Sequence, residues 1–255
     1  WIFSLLGPWA WLAAWGLITL VQWVMGFLAP VIILPLFSKF TPIEEGELKE
    51  GIESLARTNG FRLRGVFRMD GSKRSTKANA FFVGFGRFRR VVLYDTLIEK
   101  HPSEEILAVL AHELGHFKKK HVLMGQVLGT LTTGLMFFLL SLFLADVRLT
   151  EAFGIASHST YASLVLFGFL FTPISLLLGV LTSALSRRHE RQADAFAAEA
   201  TGRPQDLAAA LKRLSADNLS NLTPPRLEVV LHHSHPPVLE RVASLRALAE
   251  KSIPA

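Results

Sequence analysis

The amino-acid sequence predicts a mostly α-helical, multi-pass membrane protein that also carries a small β-sheet or hairpin. Three observations predict this class. Half of the 255 residues are hydrophobic, and the mean hydropathy is +0.35. Charged residues are absent from three long runs, 1–38, 121–145 and 152–186; an apolar stretch of 18 or more residues without charge reads as a membrane span. Of the 27 Lys and Arg residues, 26 fall in the segments 39–120 and 187–255, and Arg148 alone lies between the second and third runs. Positive residues near span ends mark the untranslocated side, so both polar segments are expected on one face, the cytoplasmic one. Composition excludes a disordered chain, a collagen-like chain and a small disulfide scaffold. With no Cys in the sequence there is no thiol nucleophile and no thiolate metal ligand. Topology accounts for the isoelectric point near 9.8, and no nucleic-acid partner is expected.

Charge therefore divides the chain into four parts: an N-terminal span at 1–38, a polar part at 39–120, two spans within 121–186, and a second polar part at 187–255. The first span, 9–37, carries Trp9, Trp11, Trp15 and Trp23, which fit an interfacial belt. Pro30 and Pro35 should kink or end it. The chain begins with Trp1 and lacks a basic start, so it is read as a processed or truncated product rather than one led by a signal peptide. A helix is expected over 42–59, opened by Pro42 and early acids and stopped by Asn59-Gly60. Residues 61–69 and 78–94 read as strands, with a turn at Gly84 to Phe88 making a hairpin. A helix over 103–120, entered at Pro102-Ser103 with Glu104 and Glu105 in its first turn, is expected to run straight into the second span. The third span covers about 159–186. Helices follow at 187–200, 205–218 and 238–251, with 219–237 irregular.

Residues 112–116 read His-Glu-Leu-Gly-His. On a helix, positions i and i+4 share a face, so His112 and His116 can reach one metal ion, and Glu113 beside them can take a proton from its bound water. Zinc fits imidazole donors and a catalytic site with three protein ligands. The apolar run Ile106 to Ala111 marks a buried helix, in which two imidazoles and a carboxylate need partners. For the third ligand, Glu190 and Asp194 again stand four apart; one can bind the ion while the other orients a ligand imidazole. His121, five residues beyond His116, falls off the ligand face of a continuous helix. Lys118, Lys119 and Lys120 read as an interfacial anchor, and the Phe-rich runs as lipid-facing or packing residues.

Six stretches in order, Gly71–Gly86, Arg90–Leu97, Ala111–Phe117, Glu190–Ala197, Asp217–Ser220 and Ser234–Pro237, resemble the type I CAAX prenyl endopeptidases. These are integral-membrane zinc metallopeptidases of the gluzincin group. The resemblance runs from about residue 39 to 250. It implies a gluzincin core holding one zinc ion per chain on His112, His116 and Glu190, with Glu113 as catalytic base and Asp194 supporting a ligand imidazole. It also puts Asn79 and His235 at the active site. His235 is the expected donor to the oxyanion, and Asn79, at the start of a strand, a clamp on substrate main chain. Arg241, after Pro236-Pro237, is read as a substrate-side residue that orders the C-terminal segment by an ion pair; its alternative is a solvated helix charge.

The expected function is a membrane-embedded metalloendopeptidase acting on membrane-associated peptides or proteins, above all in CAAX-type processing of prenylated C-termini. The expected site is on the cytoplasmic side, in the endoplasmic reticulum of a eukaryote or the inner membrane of a prokaryote. The alternatives are a broad quality-control endopeptidase for misfolded membrane proteins and, more remotely, an inactive membrane scaffold. The expected partners are a peptide or protein substrate and the lipid bilayer.

Overall fold

A computed structural model describes residues 6–84, 89–155 and 159–251. The chain folds into two compact units, one from Trp1–Gly26 and Val122–Thr182, the other from Phe27–His121 and Ser183–Ala255. The described elements are mainly helical, with one small sheet. Three helical stretches, Gly7–Phe37, His121–Leu144 and Thr160–Thr201, are long and apolar enough to cross a membrane.

In the first unit, helix α1 (Ala10–Leu28) packs by its tryptophans. Trp15 donates its indole N–H to the Thr130 carbonyl at 2.9 Å, and Trp23 donates to the Thr130 hydroxyl at 3.1 Å. Trp11 meets Phe138 edge-on at 5.3 Å. Three of the four tryptophans thus join helices rather than form a belt, because an indole N–H in an apolar span needs an acceptor from a neighbouring helix. Gly134 makes room for this packing: a Cβ there would stand 3.0 Å from the Trp15 indole nitrogen. As its prolines predict, the α1 stretch is interrupted, by a π-helical turn at Ala29–Ile33 around Pro30 and a short α2 (Leu34–Phe37) that carries Pro35.

The second unit is built on a four-stranded sheet of order β1-β2-β4-β3, where β1 is Phe40–Pro42, β2 Leu63–Met69, β3 Ala80–Val83 and β4 Arg89–Tyr94. The β2–β4 pair is parallel; β1–β2 and β3–β4 are antiparallel. The expected hairpin is the β3–β4 pair, and most of its turn, 85–88, lies outside the described residues. Helix α3 (Glu47–Thr58) starts five residues later than expected. Pro42 ends an edge strand instead, where its missing N–H is harmless. In β2 a register shift falls between Leu63 and Gly65, and Val66 and Met69 are the buried positions.

Two helices follow the sheet, α4 (Asp95–Lys100) and α5 (Ser103–Lys118). One side of α5 packs on the sheet through Ile106 and Leu110 against Val66, Val91 and Leu93. Another side packs through Ala108 and Ala111 against Ala197, Leu207, Leu211, Val242 and Leu245. This second cluster comes from α8 (Thr160–Thr201), α9 (Pro204–Asp217) and α11 (Val238–Lys251). Enclosed by apolar neighbours on both sides, α5 buries its polar residues as well as its aliphatic ones.

Three further expectations change. Helix α5 does not run into the second span: Lys120 adopts φ 59° and helix α6 (His121–Ala145) starts anew. The third span and the helix expected at 187–200 are one helix, α8. The stretch 219–237 contains α10 (Arg226–His232), and a short helix α7 (Val147–Ala152) follows α6.

Candidate metal centre

The centre depends on how closely α5 and α8 approach. Gly115 of α5 faces Ala193 of α8; a Cβ on Gly115 would lie 3.1 Å from the Ala193 Cα and 3.2 Å from its carbonyl oxygen. Glycine opposite alanine brings the two backbones near enough for short side chains to meet. His112, three residues before Gly115, and His116, the residue after it, then face Glu190 and Asp194, spaced alike around Ala193.

The donor atoms converge on one point. His112 Nε2 is 3.1 Å from His116 Nε2, His116 Nε2 is 3.2 Å from Glu190 Oε1, and His112 Nε2 is 3.5 Å from Glu190 Oε2. Among the described residues these three form the cluster able to hold a metal ion, with all donor atoms within 4.8 Å of one another. Two ligands at about 2.0–2.1 Å from a tetrahedral ion lie about 3.3 Å apart. The observed separations bracket that figure. The Glu190 Oε2 atom is buried without a well-formed hydrogen bond, and the two imidazole Nε2 atoms face each other at 3.1 Å, where a cation between them would be held by both. The donor set therefore fits a divalent cation that favours imidazole and carboxylate.

Around this point each group has a support. His112 Nδ1 lies 2.9 Å from Asp194 Oδ1; a carboxylate only accepts, so the imidazole donates. Arg241 clamps the same carboxylate, Nε to Oδ2 at 2.8 Å and Nη2 to Oδ1 at 2.6 Å, and its Nη1 is 3.2 Å from Glu190 Oε2. Burial pulls the His112 imidazole down, but its bonds to Asp194 and Glu190 outweigh this and raise it to about 9 in the metal-free chain. The same negative field favours a metal cation in place of that proton. Burial pushes the Glu113 carboxyl above its ordinary value, partly opposed by His112 and His116.

Of the residues singled out from sequence, His112, His116, Glu190, Asp194 and Glu113 lie at the cluster or beside it. His235 joins them, with Nε2 3.4 Å from Glu190 Oε1 and Nδ1 2.9 Å from the Ser234 hydroxyl; its side chain is 63% exposed. Arg241 makes the ion pairs expected of it, but on the protein side of the site. Only 8% exposed, it is held by Asp194 and Glu190 behind the donors, so its guanidinium is taken up by protein and not free for substrate. Asn79 is exposed at the start of β3, where its side chain accepts the Ala80 N–H at 2.9 Å. Among the described residues no hydrogen bond joins it to the cluster. The outer side of β3 is an edge of the sheet, and β3 carries Phe82, which packs on both sheet-side clusters beside α5.

Sequence reasoning missed three participants. His121 Nδ1 lies 3.1 Å from His116 Nδ1, and His121 Nε2 lies 3.0 Å from Gln192 Oε1. Arg187 donates to the carbonyls of Val229 and His233 at 2.9 and 2.6 Å, anchoring the segment that leads to His235. For Gln192 a signal existed, its place between Glu190 and Asp194; for Arg187 there was none.

Residues 42–249 match peptidase family M48. The chain belongs to peptidase family M48. Among curated M48-like relatives, a CAAX prenyl protease 1 homolog of Oryza sativa subsp. japonica is 40% identical over 240 residues, 94% of this chain and 56% of that protein. CAAX prenyl protease 1 of Saccharomyces cerevisiae is 39% identical over 247 residues, 91% of this chain and 54% of that protein. Among solved structures, the crystal structure of S. mikatae Ste24p matches with a TM-score of 0.85 at 36% identity, over 96% of this chain and 60% of that one. The chain thus spans a little over half the length of these relatives. Membership of M48 implies a metal, and the His112, His116 and Glu190 cluster fits one. The apolar helices, with this likeness, make the chain an integral membrane protein.

Proposed function

We propose that this M48 chain carries the catalytic centre of a membrane zinc metalloendopeptidase that processes the C-termini of prenylated CAAX-type substrates. The observation that carries the proposal is the convergence of His112, His116 and Glu190 on one point, with Glu113 on the same helix as both histidines. The names of the relatives, CAAX prenyl protease 1 and its homologs, support the substrate class.

Zinc, when bound, supplies a Lewis acid that polarises the scissile carbonyl and acidifies a water molecule. His112 and His116 would hold it through their imidazoles, and Glu190 through its carboxylate. Glu113, its basicity raised by burial, takes a proton from the attacking water and returns it to the leaving amine. His235, mostly exposed beside Glu190, donates to the oxyanion that develops on the substrate carbonyl. Asp194 and Arg241 fix the His112 ring and the Glu190 carboxylate. Asn79 clamps the main chain of a substrate added as a strand to the free edge of β3. Arg241 is thus a positioning residue in this scheme. From the distribution of Lys and Arg, the site works on the cytoplasmic side of its membrane, the endoplasmic reticulum in a eukaryote or the inner membrane in a prokaryote.

The test uses the purified chain in nanodiscs with zinc content measured on the same sample. Glu113→Gln should keep one zinc per chain and lose cleavage by 10²–10⁴-fold, the usual contribution of a general base; unchanged cleavage would sink the assignment. Matched farnesylated and unmodified C-terminal peptides in competition test the substrate class. Preference for the farnesylated peptide is expected, and equal turnover replaces the processing role with a broad quality-control one.

A further inference from the structure

We infer that His121 and Gln192 form a neutral hydrogen-bond relay that fixes which nitrogen of His116 carries its proton, leaving Nε2 as a lone pair for the metal. The inference rests on the assignment of His116 as a ligand and deepens it.

The relay follows from donor and acceptor arithmetic. Gln192 Oε1 only accepts, so at 3.0 Å His121 Nε2 is the donor. A neutral imidazole protonated on Nε2 has an acceptor on Nδ1. His116 Nδ1, 3.1 Å from that acceptor, must then donate. The remaining His116 nitrogen, Nε2, is the atom that faces His112 Nε2 and Glu190 Oε1. If Gln192 presented its NH₂ group instead, each proton in the relay would move to the other end. His116 would then aim an N–H at the cluster, and no metal could bind there.

The backbone is arranged to make this contact. In an unbroken helix His121 would point about 140° away from His116, at 100° per residue. The turn at Lys119 and Lys120, with Lys120 in the left-handed region at φ 59°, ends α5 and brings His121 back over His116. A non-glycine residue disfavours that conformation, so the fold holds Lys120 against a local preference. The His121 ring, 6% exposed as a residue, is fixed in plane by stacking on His189, with centroids 4.0 Å apart and planes 8° from parallel. The two ligand imidazoles are therefore oriented by unlike means: His112 by a carboxylate–guanidinium pair, His116 by an uncharged histidine and amide. His121 and Gln192 touch no donor atom of the cluster, so they are positioning residues.

The experiment measures zinc affinity by chelator competition on the chain in nanodiscs, together with ¹⁵N spectra of labelled histidines in the zinc-loaded protein. Gln192→Leu and His121→Phe, which keep volume and remove the relay, should weaken zinc binding about 10–100-fold, the usual cost of losing such an outer partner. Gln192→Glu, an acceptor only, should bind zinc within about threefold of the parent, since it holds the same proton order. The spectra should show His116 protonated on Nδ1 in the parent and in Gln192→Glu. A Gln192→Glu protein as weak as Gln192→Leu, parent-like affinity in Gln192→Leu and His121→Phe, or a His116 proton on Nε2 would overturn the relay. A parent chain that binds no zinc would instead overturn the ligand assignment, so the two failures are told apart.

Discussion

Replacing Gly115 by alanine tests whether helix approach sets the metal geometry. The added Cβ would sit 3.0 Å from Phe196 Cδ1, 3.1 Å from Ala193 Cα and 3.2 Å from the Ala193 carbonyl oxygen, where ordinary contact begins at 3.4 Å. Phe196 can turn, but the other two atoms are backbone. Helices α5 and α8 must therefore part by a few tenths of an ångström where Gly115 meets Ala193, close to the donors. Metal–ligand distances tolerate only about 0.2 Å, so the histidines on α5 and Glu190 on α8 can no longer reach ideal distance together. Overpacking of this kind costs about 1–3 kcal/mol, which corresponds to a loss of about 5–150-fold in zinc affinity if it falls on the bound state. Chelator competition gives the affinity, and melting with and without zinc shows whether the loss falls on the site or on the whole unit. Gly51→Ala is the control. Its Cβ would meet only the end of the Leu107 side chain, so zinc affinity should be unchanged. If Gly115→Ala binds zinc within twofold of the parent, the spacing of the two helices does not set the site.

Two other outcomes are expected. Arg241→Ala leaves the buried Asp194 carboxylate without its bidentate partner; removing one member of a buried pair costs about 3–5 kcal/mol, so melting temperature and zinc content should both fall. Arg241→Lys should recover only part, because an ammonium cannot make the forked contact; full recovery would mean that charge alone suffices. The second outcome concerns pH. The His112 imidazole, lowered by burial but raised further by Asp194 and Glu190, reaches about 9 in the metal-free fold against about 6.5 unfolded. A raised value stabilises fully below the unfolded value and is lost as pH rises through the folded one. Metal-free protein should therefore lose about 3 kcal/mol from this group between pH 6.5 and 9, while zinc-loaded protein, whose metal has displaced that proton, should not. Unfolding curves with chelator and with zinc over this range decide it; parallel declines would refute the assignment.

Much of the site was legible because its chemistry sits on two short helical periods. The i, i+4 spacings of His112 with His116 and of Glu190 with Asp194 specify a face, and the structure puts both pairs on facing helices. The spans were legible because absence of charge over some 25 residues has few other causes. What failed depended on backbone breaks and long-range partners. His121 was set aside on the geometry of a continuous helix, but Lys120 leaves that geometry for reasons of tertiary fit. Pro42 fits a helix start and an edge strand equally well by local preference, and pairing with β2 decided the matter. Arg241 was legible as an ion-pairing residue that orders the C-terminal segment, but not its partners or its burial, which depend on acidic residues 47 and more positions upstream. Trp15 and Trp23 looked like interface anchors because nothing local points to Thr130.

The position of Arg241 also orders events during synthesis. It lies 129 residues after His112, so at about 5–20 residues per second a ribosome finishes the first histidine roughly 6–26 s before the guanidinium that stabilises its carboxylate partner. Over that interval the nascent chain carries a pair of histidines at helical spacing with no completed cage, open to whatever soft cation is at hand. Arrival of α11 closes the centre around Asp194 and Glu190. The candidate metal centre is therefore whole only after so distant a segment has emerged.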